Sequence, residues 1–283
     1  MKKLFFTFLI ISSFLGVNTG HAQMCCQKPL GNDMQVLALN KSFKAAHEAP
    51  LPFAYSAQKG QMIHFTTEGG KDGNAFFVPA DENTDKVLLV FHEWWGLNDY
   101  IKREAENWQK YLGGNIAVYA VDLYDGQVAT TPDEASKLAG SLDPQRAEAI
   151  INGVLAKIGK DKKIATIGWC MGGSWSFTAA RLAGTQASGC VMYYGFPDKD
   201  DAHIKAFRGN VLYIYGTQDD FIKKPDVIDF GNKLIKNGHG FTFQSYDAPH
   251  AFANPSNPKY NEKAAGEAQL LSIAYLKSQL SIQ

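Results

Sequence analysis

Five short apolar runs constrain this chain more than any other feature. They are VLLVF (87–91), IAVYAV (116–121), IATIG (164–168), CVMYY (190–194) and VLYIY (211–215). Each is short for a core helix and too continuous to leave one face in water. Such runs are strands covered on both sides, as in a parallel sheet. Parallel neighbours need crossover connections, and the segments between these runs carry a helical period. Ile101, Ala105, Trp108 and Leu112 recur at offsets 0, 4, 7 and 11. Thr131-Pro132-Asp133-Glu134 reads as a capping box with proline at the first helical position. Asp143-Pro144 opens another helix, with Ala147, Ile151, Val154 and Ile158 on its inner face. Residues 262–280 read as the last helix, with Ala264, Ala268, Leu271 and Tyr275 facing in. QMIHFTT and NAFFVPA suit an edge hairpin, and FTFQSY (241–246) alternates as an outer strand does. The sum is an α/β fold: a mostly parallel, eight-stranded sheet with helices on both faces.

The stretch before the sheet is different. Lys2 and Lys3 precede an apolar run, Leu4 to Val17, and then NTGHAQ. This is the pattern of a secretory signal peptide over 1–23, with cleavage after Ala22 or Gln23. The run falls short of the roughly 20 residues a membrane span needs. The expectation is a protein exported to the periplasm or beyond, with no stable membrane span after cleavage. Residues 24–58 read as an irregular extension, EAPLP being its clearest linker signal. Residues 59–283 read as one domain. Lys+Arg and Asp+Glu both number 28, so no basic surface for nucleic acid is expected. Seven scattered histidines and the absence of CxxC or HxxxH spacing give no sign of a metal site. No cofactor is expected. Cys25 and Cys26 carry no evident role.

The chemistry concentrates at IGWCMGG, Ile167 to Gly173. A strand runs into Gly168-Trp169-Cys170-Met171-Gly172 and a helix follows from about Gly173. This spacing is that of a nucleophile elbow, in which a tight turn lifts its central side chain clear of the sheet. The helix points its positive end at the sulfur, favouring thiolate, and the Met171 N–H stands where an oxyanion would need it. VLYIYGTQDD offers Asp219 or Asp220 at the end of one strand, and SYDAPHAF offers His250 at the end of the last. The order nucleophile, acid, histidine is that of the α/β-hydrolases, and open α/β sheets carry their sites at the strands' carboxyl ends. Plainer roles exist for each residue: Cys170 as a buried hydrophobe, Asp219 as a turn cap, His250 as a surface loop residue. A Cys170 sealed in the interior, or a His250 pointing elsewhere, would overturn the catalytic reading.

From about Gly60 onward the chain resembles the dienelactone hydrolase family, which uses Cys-His-Asp. The blocks that carry the resemblance are HEWWGLNDYIKREAENW, AVDLY, GWCMGG, YYG at 193–195, GTQDDF and HAFAN. It implies an α/β-hydrolase fold, Cys170 as nucleophile, His250 as base and Asp219 as acid, with Asp220 ranked second. It implies that Glu93 holds the resting thiol, and that Trp94 and Met171 supply the oxyanion N–H groups. Members that act on dienelactones bind a substrate carboxylate with two arginines. Here those positions hold Gly126 and Asn254, neither of which can make a bidentate contact to a carboxylate. Arg103 lies nearby but belongs to a helix face. A neutral small-molecule ester or lactone is therefore expected, in a pocket that Trp94, Trp95, Tyr124, Trp175 and Phe252 could line. Only Phe196 to Asn210 separate two core strands, so no large lid domain fits there, and the cleft is expected to be open or covered by loops. The protein is expected to be a monomer. Two competing readings are a non-catalytic binding protein on the same scaffold, and redox chemistry between Cys170 and Cys190.

Overall fold

The strand and helix segments expected from the sequence assemble into one sheet in the computed structural model, which describes residues 31–283. The signal-peptide segment, Cys25 and Cys26 lie outside the described residues. The strands are β1 (Gln61–Phe65), β2 (Gly73–Val78), β3 (Lys86–Phe91), β4 (Ala117–Asp122), β5 (Lys163–Trp169), β6 (Ala187–Tyr193), β7 (Val211–Gln218) and β8 (Phe241–Pro249). Their order is β1-β2-β4-β3-β5-β6-β7-β8, with β1 and β2 forming the antiparallel edge hairpin and β3 to β8 running parallel. The chain reverses its winding direction at β3, so the carboxyl ends of β3 and β5 lie side by side. That is where an open α/β sheet forms a crevice.

The helices are α1 (Gly31–Ala38), α2 (Lys41–Ala46), α3 (Asp99–Tyr111), α4 (Pro132–Ser141), α5 (Pro144–Ile158), α6 (Met171–Ala183), α7 (Asp201–Ala206), α8 (Lys224–Lys236) and α9 (Glu262–Leu280). The capping box forms as read: Thr131 accepts from the Glu134 N–H, and the Glu134 carboxylate accepts from the Thr131 N–H. Two aromatic-rich cores result. The larger spreads around β3, β4 and β5, and the smaller packs Phe177, Met192, Tyr213 and Phe230 between α6, α8 and strands β6 and β7. No described helix is long and apolar enough to cross a membrane.

One stretch departs from the reading. Residues 31–46, expected to be irregular, form α1 and α2. Helices of eight and six residues are not stable alone, so tertiary contacts decide them. Ser136 donates to the Ala38 carbonyl, Gln35 donates to that of Leu142, and Lys44 pairs with Asp133, all on or beside α4. The chain then runs extended along α3. There the Glu106 carboxylate accepts from the N–H groups of Gln58, Lys59 and Gly60 and from the Tyr55 hydroxyl. Burial works against that charge, and the converging backbone donors hold Glu106 below its ordinary range.

Candidate active site

Cys170 sits between β5 and α6 with φ 53° and ψ −120°, a region that non-glycine residues avoid. Such a conformation costs about 1–3 kcal/mol and persists only where its surroundings enforce it. Here a Cβ on Gly168 would strike the Gly172 carbonyl, and one on Gly172 would strike the carbonyls of Phe91 and His92. The Cys170 N–H donates to the Tyr193 carbonyl at 2.9 Å, which ties the corner to β6. The Met171 N–H is hydrogen-bonded to the Cys170 sulfur.

β7 and β8 deliver the two partners. Asp219 follows β7, its Oδ1 accepting from the N–H groups of Phe221 and Ile222 at 2.8 and 2.9 Å. Its Oδ2 lies 2.7 Å from His250 Nδ1, and His250 Nε2 lies 3.3 Å from Cys170 Sγ. The structure thus joins Asp219, His250 and Cys170 in one line, whereas Asp220 next door is exposed. Burial would protonate Asp219, but His250 and the two N–H donors outweigh it and keep the carboxyl below its usual range. Burial likewise opposes a charged His250, yet the Asp219 carboxylate outweighs it and raises the ring's basicity, which equips it to take a proton from the sulfur. At Cys170 burial dominates and holds the thiol above its ordinary value, so the resting group is the thiol.

Glu93 acts on Cys170 through its charge, which is among the causes that raise the thiol, rather than through a hydrogen bond. Its carboxylate accepts from Asn254 Nδ2 and, at 3.4 Å, from the Tyr194 hydroxyl, and no hydrogen bond joins it to the Cys170 sulfur. Asn254, one of the positions that lacks an arginine, is therefore occupied with Glu93. Burial is the main reason Glu93 is pushed up to about 7, with His250 and these two donors opposing. The loop is fixed by His92, a residue the sequence reading did not single out. Its Nε2 accepts from the Leu123 N–H at 3.2 Å, so Nδ1 donates to the Glu93 carbonyl at 2.6 Å. Trp94 is fully buried, and its indole Nε1 has no partner among the described residues.

The expected aromatic pocket is mostly core. Trp175 and Phe252 are buried, and the Tyr124 hydroxyl donates to Met171 Sδ. Of that group only Trp95 lines the neighbouring cavity of about 40 Å³, together with Glu93, Trp169 and Asn254. Neither Cys170 nor His250 lines it. Gly126 takes φ 90° and is exposed. Arg103 pairs with Glu104 and stacks on Phe53 and Tyr100. Cys190 lies under the other core with its sulfur 3.4 Å from Ser176 Oγ, and burial pushes its thiol up to about 11. Both cysteines are free, and the redox reading gains nothing from their placement.

The cleft is not open. Cys170 is 1% exposed, and the elements above it include α2. The Phe43 ring lies 4.9 Å from both Trp94 and Phe221 and 5.9 Å from His250. His47 stands 5.0 Å from Trp94 and 5.4 Å from His250. Among the described residues no lid domain is present, but a six-residue helix from the N-terminal extension roofs the site. The expectation failed because it considered only insertions within the sheet, not a segment returning from outside it. The thiol is sealed, but at the carboxyl edge of the sheet and beneath a separate segment.

Comparison with known proteins matches the region beneath that roof. The family model described as the dienelactone hydrolase family covers residues 74–280. A carboxymethylenebutenolidase of a Pseudomonas species is 28% identical over 227 residues, 74% of this chain and 91% of its own. Protein usf of Aquifex pyrophilus is 26% identical over 232 residues, 78% of this chain and 100% of its own. A solved dienelactone hydrolase-like promiscuous phosphotriesterase from metagenomic libraries shares the fold with TM-score 0.64 at 22% identity, over 80% of this chain and 99% of that one. The match begins in β2 and ends with α9, spanning the whole parallel sheet and every residue of the Cys170 corner, so the chain belongs to the dienelactone hydrolase family, hydrolases of carboxylic esters and lactones.

Proposed function

We propose that the protein hydrolyses small, neutral esters or lactones through Cys170 and a thioester acyl-enzyme. The observation that carries this is the line from Asp219 to His250 to Cys170, at 2.7 and 3.3 Å, ending on a strained elbow. His250, its Nδ1 proton held by Asp219, takes the thiol proton at Nε2. The thiolate attacks the carbonyl carbon, and the N–H groups of Met171 and Trp94 take the oxyanion. The imidazolium returns its proton to the departing alkoxide, leaving a thioester. Water then attacks with His250 as base, and the acid and free thiol are released. Glu93, in its buried pairing with Asn254 and Tyr194, shapes the adjoining cavity and its charge. The preference for neutral substrates rests on Gly126 and on Asn254 being engaged by Glu93. We also propose export with cleavage after Ala22 or Gln23, on the strength of the N-terminal pattern; cell fractionation with N-terminal sequencing tests it, and protein found only in the cytoplasm with an intact Met1 refutes it.

The experiment is a panel of neutral and carboxylate-bearing chromogenic esters and lactones on purified protein, alongside Cys170→Ala. Loss of turnover in the variant with the fold kept is the expected result. Equal turnover in both proteins refutes the mechanism, and a preference for anionic lactones refutes the substrate class. The 1% exposure of Cys170 favours a second reading, a non-catalytic binding protein. It requires an inert thiol; iodoacetamide labelling against pH decides, because a catalytic thiol reacts with an apparent pKa well below about 8.5 once the roof opens.

A further inference from the structure

One polar group above the triad has no task in that mechanism. His47 ends α2 and is 3% exposed. Its Nδ1 lies 2.8 Å from the Phe43 carbonyl, which can only accept, so Nδ1 carries the proton and Nε2 keeps a lone pair. That Nε2 is buried without a hydrogen-bond partner among the described residues. A charged ring buried with no partner for that nitrogen is disfavoured, so the neutral imidazole presents a free lone pair. His250 has the same arrangement, with Nδ1 committed to Asp219 and Nε2 facing the sulfur. An imidazole whose far nitrogen is tied to an oxygen acceptor is the usual form of a metal-binding histidine. The donor atoms that His47, Cys170 and His250 offer lie within 4.8 Å of one another.

We propose that His47, carried in by the N-terminal segment, completes with Cys170 and His250 a three-donor site for a soft divalent transition-metal ion of the Zn²⁺ class. One thiolate and two imidazoles are the donor set such ions select over Mg²⁺ or Ca²⁺. Bond lengths of about 2.0–2.3 Å place tetrahedral donors roughly 3.3–3.8 Å apart. The Cys170–His250 pair already has that spacing, at 3.3 Å, and the widest pair must close from 4.8 Å. α2 is a short roof element that supplies this movement. Trp94 Nε1, on a ring 5.0 Å from His47, is the other unpartnered buried atom here, and it suits a water or anion in the fourth position. A water between Trp94 and His47 would satisfy those two atoms but would leave the sulfur uninvolved. Binding breaks the Cys170 S–H bond, forms a metal–sulfur bond and releases the proton to solvent, with no change of oxidation state. The site itself stands on geometry alone. Its consequence rests on the nucleophile reading: an occupied site holds both the thiolate and the base, and the hydrolase is latent until the ion leaves.

The test uses reduced, full-length protein with Co²⁺ as the optical probe and Zn²⁺ as competitor. A thiolate-to-Co²⁺ charge-transfer band that Zn²⁺ removes, and that Cys170→Ser lacks, is the expected result. Peptide-resolved alkylation should show Zn²⁺ shielding Cys170. Losing an outer-shell partner typically weakens metal binding 10–100-fold, so losing a ligand in His47→Phe should weaken Co²⁺ binding by about 100-fold or more. Phenylalanine keeps a ring among the roof aromatics; if circular dichroism shows that variant unfolded, His47→Gln takes its place. No band in the parent, a band that survives Cys170→Ser, or equal affinity in the His47 variant overturns the site. Failure of the hydrolase reading looks different: the band is present, and ester turnover is absent even with chelator.

Discussion

Phe43→Ala measures how firmly the roof is held. The Phe43 side chain is fully buried and touches Trp94, Phe221, His47 and His250. Removing a buried phenylalanine side chain costs about 3–5 kcal/mol. The other ties on α2 are weaker. Lys44–Asp133 is an exposed pair, and the Asn40 cap is worth about 1 kcal/mol. Phe43 is therefore the main grip. At about 1.4 kcal/mol per decade, a loss of about 3 kcal/mol raises the open fraction, and with it alkylation of Cys170, by about 100-fold. The assay is iodoacetamide labelling with each cysteine resolved by mass spectrometry, repeated across low urea concentrations. Cys190 is the internal control, since it lies fully buried in the second core. Opening of α2 exposes little surface, so the Cys170 rate should be nearly flat in urea while the Cys190 rate climbs. An unchanged Cys170 rate refutes the role of Phe43. A Cys170 rate that follows Cys190 at every urea concentration refutes more: the thiol then belongs to the core, and the nucleophile reading goes with it.

Asp219→Asn should lower kcat by about 10³–10⁴-fold with little change in KM, because the ring loses its fixed tautomer; steady-state kinetics on a neutral ester checks this, and a loss under tenfold refutes it. Glu93 keeps its proton to about pH 7 in the fold, against 4.5 in an ordinary carboxyl. Below pH 4.5 folded and unfolded states are both protonated. Between 4.5 and 7 the unfolded chain ionises first, so stability falls by about 3 kcal/mol as pH rises. Urea midpoints of parent and Glu93→Gln over that range should diverge by this slope, and parallel curves count against it. Glu106→Ala strands three backbone N–H groups and should destabilise by about 3 kcal/mol or more in urea unfolding, with residues 55–60 losing hydrogen-exchange protection first.

The sheet was legible because its evidence is local. Each parallel strand but β8 is a run of apolar residues, β8 alternates, and helices α3, α4, α5 and α9 carry their own period or caps. α8 carries a signal just as local, with Pro225 in its first turn and Val227, Phe230 and Leu234 on one buried face. α1 and α2 are another matter. KSFKAA has neither length nor period, and Phe43 and Ser136 reach the partners that secure the region, His250 and the Ala38 carbonyl, only after the chain has folded back across α4 and the sheet edge. His47 was invisible for the same reason, since no spacing rule links it to Cys170.

The two kinds of information divide at one place in the molecule. Everything beneath the roof lies within residues 74–280, the span of the family match, and its elbow, acid and histidine follow the order the sequence already displayed. Phe43 and His47 lie before that span. What the family shares therefore bears on the line from Asp219 to Cys170, and it says nothing of what shuts that line off from water. Burial of the site has two sources, the core within the span of the match and the α2 segment outside it. Burial is the largest cause of the thiol's raised pKa, and the share of it that α2 supplies is lifted when α2 opens, with Asp219 and His250 left in place. Reactivity should consequently depend on the roof more steeply than on any change at the sheet edge that spares the triad itself.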